Sequence, residues 1–297
     1  MRKMNTYGMA GISILFWPAY GLLWKRKERR RCIILAYHHI AEDPCTSYDV
    51  SLDRFKYQME YIHKHCQVIT LDDWLEGSGR LSDRKRNVVL TFDDGYESFE
   101  RHVVPVLIKY GFHAHLFIPV DFVKNRGEES GSLKRMCSKH QANRKVMSWE
   151  QIGNIDETVV TVGSHTMTHP RLGLIPVQDL EKEIGGSKII LEEKLKRVVR
   201  YFAYPYSLRG GRVDSKRESV IRRLFIQYHY QAACTTDMGF NRHRTCPYHL
   251  RRIQIFKDDG NFMFKSKIRG ALNWLGKLQK ILRRFDLLKN HEKGGRR

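Results

Sequence analysis

The chain has 297 residues, of which 41% are apolar, so it can bury a core as large as one barrel or doubly wound domain, and a disordered class is excluded. Its formal net charge is +21, because 53 lysines and arginines outnumber 32 aspartates and glutamates. Much of this charge lies near the two ends, in residues 25–31 and 265–297. Basic clusters attract anionic lipid head groups and nucleic acid phosphates alike, so composition alone leaves both partners open.

The first predicted element is hydrophobic. Residues 7–24 carry no charge and have about the minimum length of a membrane-spanning helix, but Pro18 interrupts them. Basic residues lie on both sides, and positive flanks favour the cytoplasm. We therefore expect residues 1–31 to hold a kinked segment that enters and leaves one leaflet, on the cytoplasmic face of the inner membrane. A buried core helix, or an exported protein, is the alternative.

The middle of the chain alternates between strand-like and helix-like stretches. Seven apolar runs predict strands: Cys32 to Tyr37, Val88 to Phe92, Ala114 to Val120, Val159 to Gly163, Tyr201 to Tyr204, Gln231 to Thr235 and Leu250 to Phe256. Five stretches between them predict helices: Leu52 to Lys64, Tyr96 to Tyr110, Ser148 to Ile155, Val177 to Val199 and Ser215 to Tyr228. Such alternation predicts parallel strands with right-handed crossovers, hence a barrel or a doubly wound sheet.

Two adjacent carboxylates, Asp93 and Asp94, follow the second strand, and Gly95 ends it. Enzymes with parallel sheets place their chemistry at the carboxyl ends of strands, so this pair is a candidate for catalysis. The same Asp-Asp-Gly sequence also suits a turn or a helix N-cap. A bound divalent cation would offset the repulsion between the two charges.

A pair of histidines, His165 and His169, follows the fourth strand. Neutral imidazole is the commonest zinc ligand, and two histidines four residues apart can face the same side. The spacing alone is a weak signal. Asp94, from another strand end, would complete a set of three ligands and leave one position open for water, as in catalytic zinc sites. Asp93 would then be free to act as a base.

The last predicted element is a basic amphipathic helix in residues 261–297. Apolar residues recur there at three- and four-residue steps, with lysines and arginines on the other faces. Such a helix can lie in a membrane interface or pack on the side of the main domain.

Three motifs together resemble one known family. Thr91-Phe92-Asp93-Asp94-Gly95, Ser164 to His169, and Phe202-Ala203-Tyr204-Pro205-Tyr206 are similar to the first three motifs of the polysaccharide deacetylases, the NodB-homology family of carbohydrate esterases. The similarity extends from about Cys32 to Phe256. It implies a distorted (β/α)7 barrel over residues 32–260 that removes acetyl or other small acyl groups from amino sugars.

The resemblance also implies roles for individual residues. Asp94, His165 and His169 would bind the divalent metal, for which zinc is the expected ion, and Asp93 would be the general base. The backbone around Tyr206 would contribute an oxyanion hole. Amide hydrolysis needs a nucleophile at neutral pH, and a metal that lowers the pKa of water supplies one.

The chain departs from the commonest pattern of this family in two places. Many members carry a base-orienting arginine where this chain has Ala203, and a late Leu-x-His, absent after Leu250, that donates a proton. The branch that resembles poly-N-acetylglucosamine deacetylases has an early Tyr-His instead, which makes His38 the expected acid and His39 the second choice. A strand-end histidine bonded to backbone is the alternative for His38. Arg252 is a candidate replacement for the missing arginine.

Four other histidines, His113, His115, His243 and His249, match no motif, and we expect them to be structural. The expected partner is an amino-sugar glycan or a lipid-linked amino sugar, with an anionic membrane surface nearby and nucleic acid disfavoured. The alternative function is a non-catalytic basic protein that binds nucleic acid or anionic lipid. It would explain the charge, but it would not explain why Asp93, Asp94, His165 and His169 all follow strand ends.

Overall fold

The computed structural model describes residues 31–77, 81–82, 84–124, 144–207 and 215–270. The predicted N-terminal hydrophobic segment, most of the polar stretch 124–147 and the predicted terminal helix beyond residue 270 lie outside these ranges. Within them, no helix combines the length and the apolar character that crossing a bilayer requires.

A curled, mainly parallel sheet forms the centre of the molecule. Its strands pair in the order β10-β1-β5-β6-β7-β8-β9, with β4 added to β5 and β11 added to β1. A separate two-stranded sheet joins β2 and β3. The strands are β1 Arg31–Tyr37, β2 His39–Ala41, β3 Asp49–Ser51, β4 Cys66–Val68, β5 Arg86–Asp93, β6 Ala114–Ile118, β7 Val160–Ser164, β8 Tyr201–Ala203, β9 Ala232–Cys234, β10 Asn241–Arg242 and β11 Ile253–Gln254.

A short segment joins the two sides of the curled sheet. Leu250 forms a parallel bridge with Cys234 of β9, and Ile253 of β11 pairs with Leu35 of β1. The neighbouring strands from β1 through β5 to β9 are parallel, as right-handed crossovers predict. The expected α/β architecture, a distorted barrel, is therefore confirmed.

Helices connect the strands and cover the outside of the sheet. Within the described part they are α1 Leu52–His65, α2 Leu71–Glu76, α3 Val104–Tyr110, α4 Val120–Lys124, α5 Trp149–Gly153, α6 Ser187–Leu195, α7 Ser215–Gln227 and α8 Asn261–Arg269. A π-helical turn, Phe99–Val103, precedes α3, and another, Lys182–Gly186, precedes α6. The ends of α5 and α3 follow local sequence: Ser148 and Gln151 form a capping box, and Gly111 takes a left-handed conformation.

Alternation along the strands gives the sheet two apolar faces. Residues such as Phe92 belong to the larger cluster, which lies between the sheet and the helices. Val89, Phe117 and Tyr201 belong to a smaller cluster, here called the inner cluster, which fills the concave side. Because side chains alternate with period two, Thr91 and Asp93 lie on the same face as Val89. The inner cluster therefore forms the floor beneath the carboxyl end of β5.

All seven predicted strands are present, with ends shifted by a few residues. The largest differences are at Val120, which begins α4 instead of ending β6, and in the predicted helix from Val177 to Val199. That stretch is divided into a 3-10 turn Val177–Asp179, the π-helical turn Lys182–Gly186 and α6. The predicted terminal helix is described only through α8, which ends at the left-handed Gly270.

Candidate metal centre

The two neighbouring carboxylates lie at the carboxyl end of β5. Asp93 is its last residue and pairs with Phe117, and the Asp94 amide donates to the Phe117 carbonyl at 3.0 Å. Asp94 and Gly95 both have positive φ angles, 74° and 70°. In an extended strand, successive side chains point to opposite faces, and this left-handed turn removes that constraint. Both carboxylates consequently lie within 4 Å of the Nε2 atom of His165.

His165 is placed by β7 and by two backbone contacts. Its amide donates to the Ile118 carbonyl at 3.0 Å, and its Nδ1 lies 2.7 Å from the Ala203 carbonyl. Because the carbonyl can only accept, Nδ1 carries the proton and Nε2 is left as a free lone pair. Gly163 is required two residues earlier, since a Cβ there would lie 2.5 Å from the Phe117 ring.

Asp94, His165 and His169 form a cluster of three potential metal ligands. Their ligand atoms all lie within 4.8 Å of one another. Asp94 Oδ1 is 3.8 Å from His165 Nε2 and 3.4 Å from His169 Nε2. This oxygen is buried and has no hydrogen-bond partner among the described residues. An unpaired buried carboxylate oxygen facing two imidazole nitrogens fits a divalent cation with nitrogen and oxygen ligands.

The protonation states suit metal binding. Burial lowers the pKa of His165 to about 4, against the opposing charges of Asp93 and Asp94, so the imidazole is neutral near pH 7. Burial would raise the pKa of Asp94, but the neighbouring imidazole of His169, with smaller contributions from His38 and His165, holds it well below its ordinary value. The cluster therefore offers one carboxylate and, at His165, a neutral imidazole.

Asp93 is held by a buried arginine instead of by the cluster. The Arg252 side chain is fully buried, and its Nη1 donates to Asp93 Oδ1 at 2.7 Å. Its Nε donates to the Thr235 carbonyl at 3.1 Å, which fixes the guanidinium. Burial is the largest single influence and would raise the pKa of Asp93, but the charge and hydrogen bond of Arg252, together with the nearby His165 and His38, outweigh it and lower this pKa. Burial likewise opposes the charge of Arg252, and Asp93 raises its pKa.

The two early histidines lie in different surroundings. His38 Nε2 is 3.9 Å from Asp93 Oδ2, at the mouth of the site. His39 instead lies with its Nδ1 3.4 Å from the buried Asp49, which also accepts a bond from Arg144. The structure thus places the expected acid beside the expected base and its competitor in a separate polar cluster.

Two tyrosines border the mouth. The Tyr206 ring centre lies 5.1 Å from that of His169, and the guanidinium of Arg171 lies 4.2 Å above the Tyr206 ring. Tyr48 packs against His38 with ring centres 4.8 Å apart and remains 46% exposed. Sequence reasoning did not identify Tyr48, because it lies in a loop without a motif and no periodicity marks it.

The histidines expected to be structural lie away from the three-ligand cluster. His115 Nε2 accepts from the Leu71 amide at 3.0 Å. His113 contacts Thr158 and Thr161, and His243 stacks on Trp74.

Comparisons with known proteins show similarity to one family. Residues 80–224 match the polysaccharide deacetylase family model. Among curated proteins, the poly-beta-1,6-N-acetyl-D-glucosamine N-deacetylase of Staphylococcus aureus strain MRSA252 is 26% identical over 227 residues. That alignment covers 74% of this chain and 72% of the relative.

Solved structures share the fold. The Streptococcus pyogenes deacetylase PplD aligns with a TM-score of 0.62 and 21% identity, over 80% of this chain and 98% of that one. IcaB from Ammonifex degensii aligns with a TM-score of 0.63 and 22% identity, over 82% of this chain and 97% of that one. The alternative of a non-catalytic protein that binds nucleic acid or anionic lipid finds no support in these relatives.

Proposed function

We propose that the chain is a member of the polysaccharide deacetylase family, whose model matches residues 80–224, and that it is a metal-dependent hydrolase that removes N-acetyl groups from an amino-sugar glycan. The observation that carries the proposal is the set of three ligand atoms from Asp94, His165 and His169 within 4.8 Å of one another. The carboxylate of Asp93, which could serve as a base, lies 3.7 Å from the Nε2 atom of His165. Two imidazoles and one carboxylate are a typical ligand set of catalytic zinc, which is the metal we propose.

The residues divide the chemistry between them. When bound, a divalent cation supplies a Lewis acid that activates water and polarises the acyl carbonyl. Asp93 is ionised because Arg252 lowers its pKa, so it can take the proton of the attacking water. Arg252 donates to Asp93 Oδ1 through Nη1. This bond holds one oxygen of the Asp93 carboxylate and leaves the other, Oδ2, directed toward His38 and His165.

The leaving amine needs a proton, and His38 is the group we assign to donate it. Its Nε2 lies at the mouth, 3.9 Å from Asp93 Oδ2. A position beside the base would put both groups within reach of the same scissile bond. The backbone near Tyr206 is the proposed oxyanion donor, and the exposed face of Tyr48 is a surface on which a sugar ring could stack.

The substrate we propose is a glycan that contains N-acetylglucosamine. The support is the similarity to the Staphylococcus aureus relative, a poly-beta-1,6-N-acetyl-D-glucosamine N-deacetylase. A lipid-linked amino sugar is a narrower version of the same proposal, and its motivation is the uncharged N-terminal segment followed by a basic cluster.

The test of the proposed activity measures free amine released from β-1,6-linked N-acetylglucosamine oligomers. We expect turnover that a chelator abolishes and zinc restores. Asp93→Asn should lower turnover by about 10²-fold or more, the usual contribution of a general base, without abolishing metal binding. Turnover that survives both the chelator and Asp93→Asn would contradict the metal hydrolase.

The proposed membrane association has a separate test. Deleting residues 1–30 leaves β1 whole and should move the protein from the membrane fraction to the supernatant. A matched protein with residues 271–297 deleted should stay with the membrane if the N-terminal segment is the main anchor. Sedimentation of both truncated proteins would contradict an N-terminal anchor.

A further inference from the structure

The segment between the two histidines of the cluster has no regular secondary structure. Thr166 and His169 both have positive φ angles, 72° and 58°, which residues other than glycine adopt rarely. Such a conformation persists only where the surroundings hold it. The position of His169 relative to Asp94 therefore depends on whatever fixes this segment, here called the histidine loop, residues 165–169.

The His165 amide donates to the Ile118 carbonyl, but side chains accept the hydrogen bonds of the other four loop amides. The Thr166 amide donates to Ser164 Oγ at 3.3 Å, and the His169 amide donates to Thr166 Oγ1 at 2.9 Å. The two amides between them, those of Met167 and Thr168, both donate to one carboxylate oxygen, Oε2 of Glu183, at 2.9 Å each.

Glu183 makes a third bond to the same loop. The Thr168 hydroxyl donates to Glu183 Oε1 at 2.7 Å, so both carboxylate oxygens are engaged. The residue is only 6% exposed, and in the described part of the chain the hydrogen bonds of its carboxylate go to the histidine loop alone. A buried carboxylate is costly unless it is well bonded, and here three donors of one loop supply the bonds.

Glu183 reaches the loop from an unrelated part of the chain. It lies in the π-helical turn Lys182–Gly186, outside the three motifs. Turns of this kind inside helices occur frequently at functional sites. On the opposite side, the Thr166 and Met167 carbonyls accept from the amides of Val120 and Asp121 at the start of α4. The loop is thus held between α4 and the carboxylate.

We propose that Glu183 is a positioning residue for the metal centre: its three hydrogen bonds hold the strained histidine loop so that His169 faces Asp94. The inference rests on the proposed metal site. Groups that orient metal ligands typically contribute about 10-fold to 100-fold to metal affinity. Without Glu183, two amides would lack acceptors and the loop could relax away from its left-handed turns.

The test compares Glu183→Ala, Glu183→Gln and the matched control Glu193→Gln, an exposed glutamate of α6. Zinc affinity is measured by competition with a chromophoric chelator, and the absorption spectrum of bound cobalt reports the coordination geometry. Glu183→Ala should weaken zinc binding about 10-fold or more and change the cobalt spectrum. Glu183→Gln should stay within about 3-fold of the original chain, because its amide oxygen can accept both backbone bonds while its NH₂ donates to Thr168. Glu193→Gln should bind zinc unchanged.

Zinc affinity of Glu183→Ala equal to that of the original chain would overturn the proposal, and so would a Gln variant as weak as the Ala variant. If Glu183→Ala fails to fold by circular dichroism, Thr168→Val tests the same contact, since it removes one of the three bonds and should weaken zinc binding about 2-fold to 3-fold. Unchanged affinity there counts against the proposal. Absence of zinc binding by the original chain would instead overturn the metal centre itself, which separates the two failures.

Discussion

Two buried histidines of the barrel, His165 and His115, differ in what their Nε2 atoms meet. Burial lowers the pKa of both, so both are neutral near pH 7. His115, near the start of β6, receives a hydrogen bond from the Leu71 amide, and its ring packs on Tyr201. His165, just past the end of β7, meets no donor at Nε2 among the described residues and faces two carboxylates. Burial alone therefore does not mark a histidine as a candidate ligand, whereas an unengaged lone pair that faces carboxylates does.

Arg252 links the inner cluster to the site, because its guanidinium lies near the Phe117 ring and its Nη1 donates to Asp93. Arg252→Met should therefore have the largest effect. Removing one partner of a buried ion pair typically costs about 3–5 kcal/mol, and we expect a free energy of unfolding lower by that amount, measured with urea. We also expect the folded variant to lose most of its deacetylation rate, because Asp93 is no longer held.

The control for Arg252 is a second buried ion pair, Lys267 with Asp259, beside α8. Lys267→Met should lose comparable stability yet keep its deacetylation rate per folded molecule. Equal loss of rate in both variants would mean that Arg252 acts only through stability.

At the mouth of the site, His38 and His39 can be compared by their effects on kcat. His38→Asn should lower kcat by about 10²-fold, the lower end of what a positioned acid contributes, while KM changes little. His39→Asn, which alters the contacts with Asp49 and Tyr96, should keep kcat within a few-fold. Steady-state kinetics on the same oligomer measures both. The reverse order of effects would assign the acid to His39.

The smallest effect we expect is the contribution of His115 to the pH dependence of the free energy of unfolding. Its pKa in the folded chain lies well below the ordinary 6.5, because burial disfavours the charged form and the charges of His113 and Arg200 add to this. As pH falls below about 6.5, the unfolded chain takes up a proton that the folded chain does not. The contribution of His115 to stability is therefore complete above that pH and is lost below it, by at most about 1.4 kcal/mol per pH unit.

Urea unfolding between pH 7 and 5 measures this loss for the original chain, for His115→Gln and for the exposed control His65→Gln. The slope should be shallower for His115→Gln alone. An unchanged slope would show that this residue does not set the pH dependence.

The long strands and their ends were predictable from the sequence because they are buried on both faces and read as continuous apolar runs. The three-residue strands β2, β3 and β4 were not predictable: β2 and β3 pair with each other and β4 pairs with β5, and strands this short leave no apolar run or alternation in the sequence. Residues of the site that follow strand ends were likewise predictable by type. The carbonyl of Ala203 was not, since a backbone atom has no residue signature, and Glu183 was not, since an ordinary helical sequence surrounds it.

The most direct test of the central claim is anomalous X-ray diffraction from crystals of the full chain grown with zinc. We predict one anomalous peak that locates a zinc ion bound by Asp94, His165 and His169, at about 2.0–2.2 Å from each ligand atom. An active protein with no peak at these residues, or with its zinc bound elsewhere, would contradict the account.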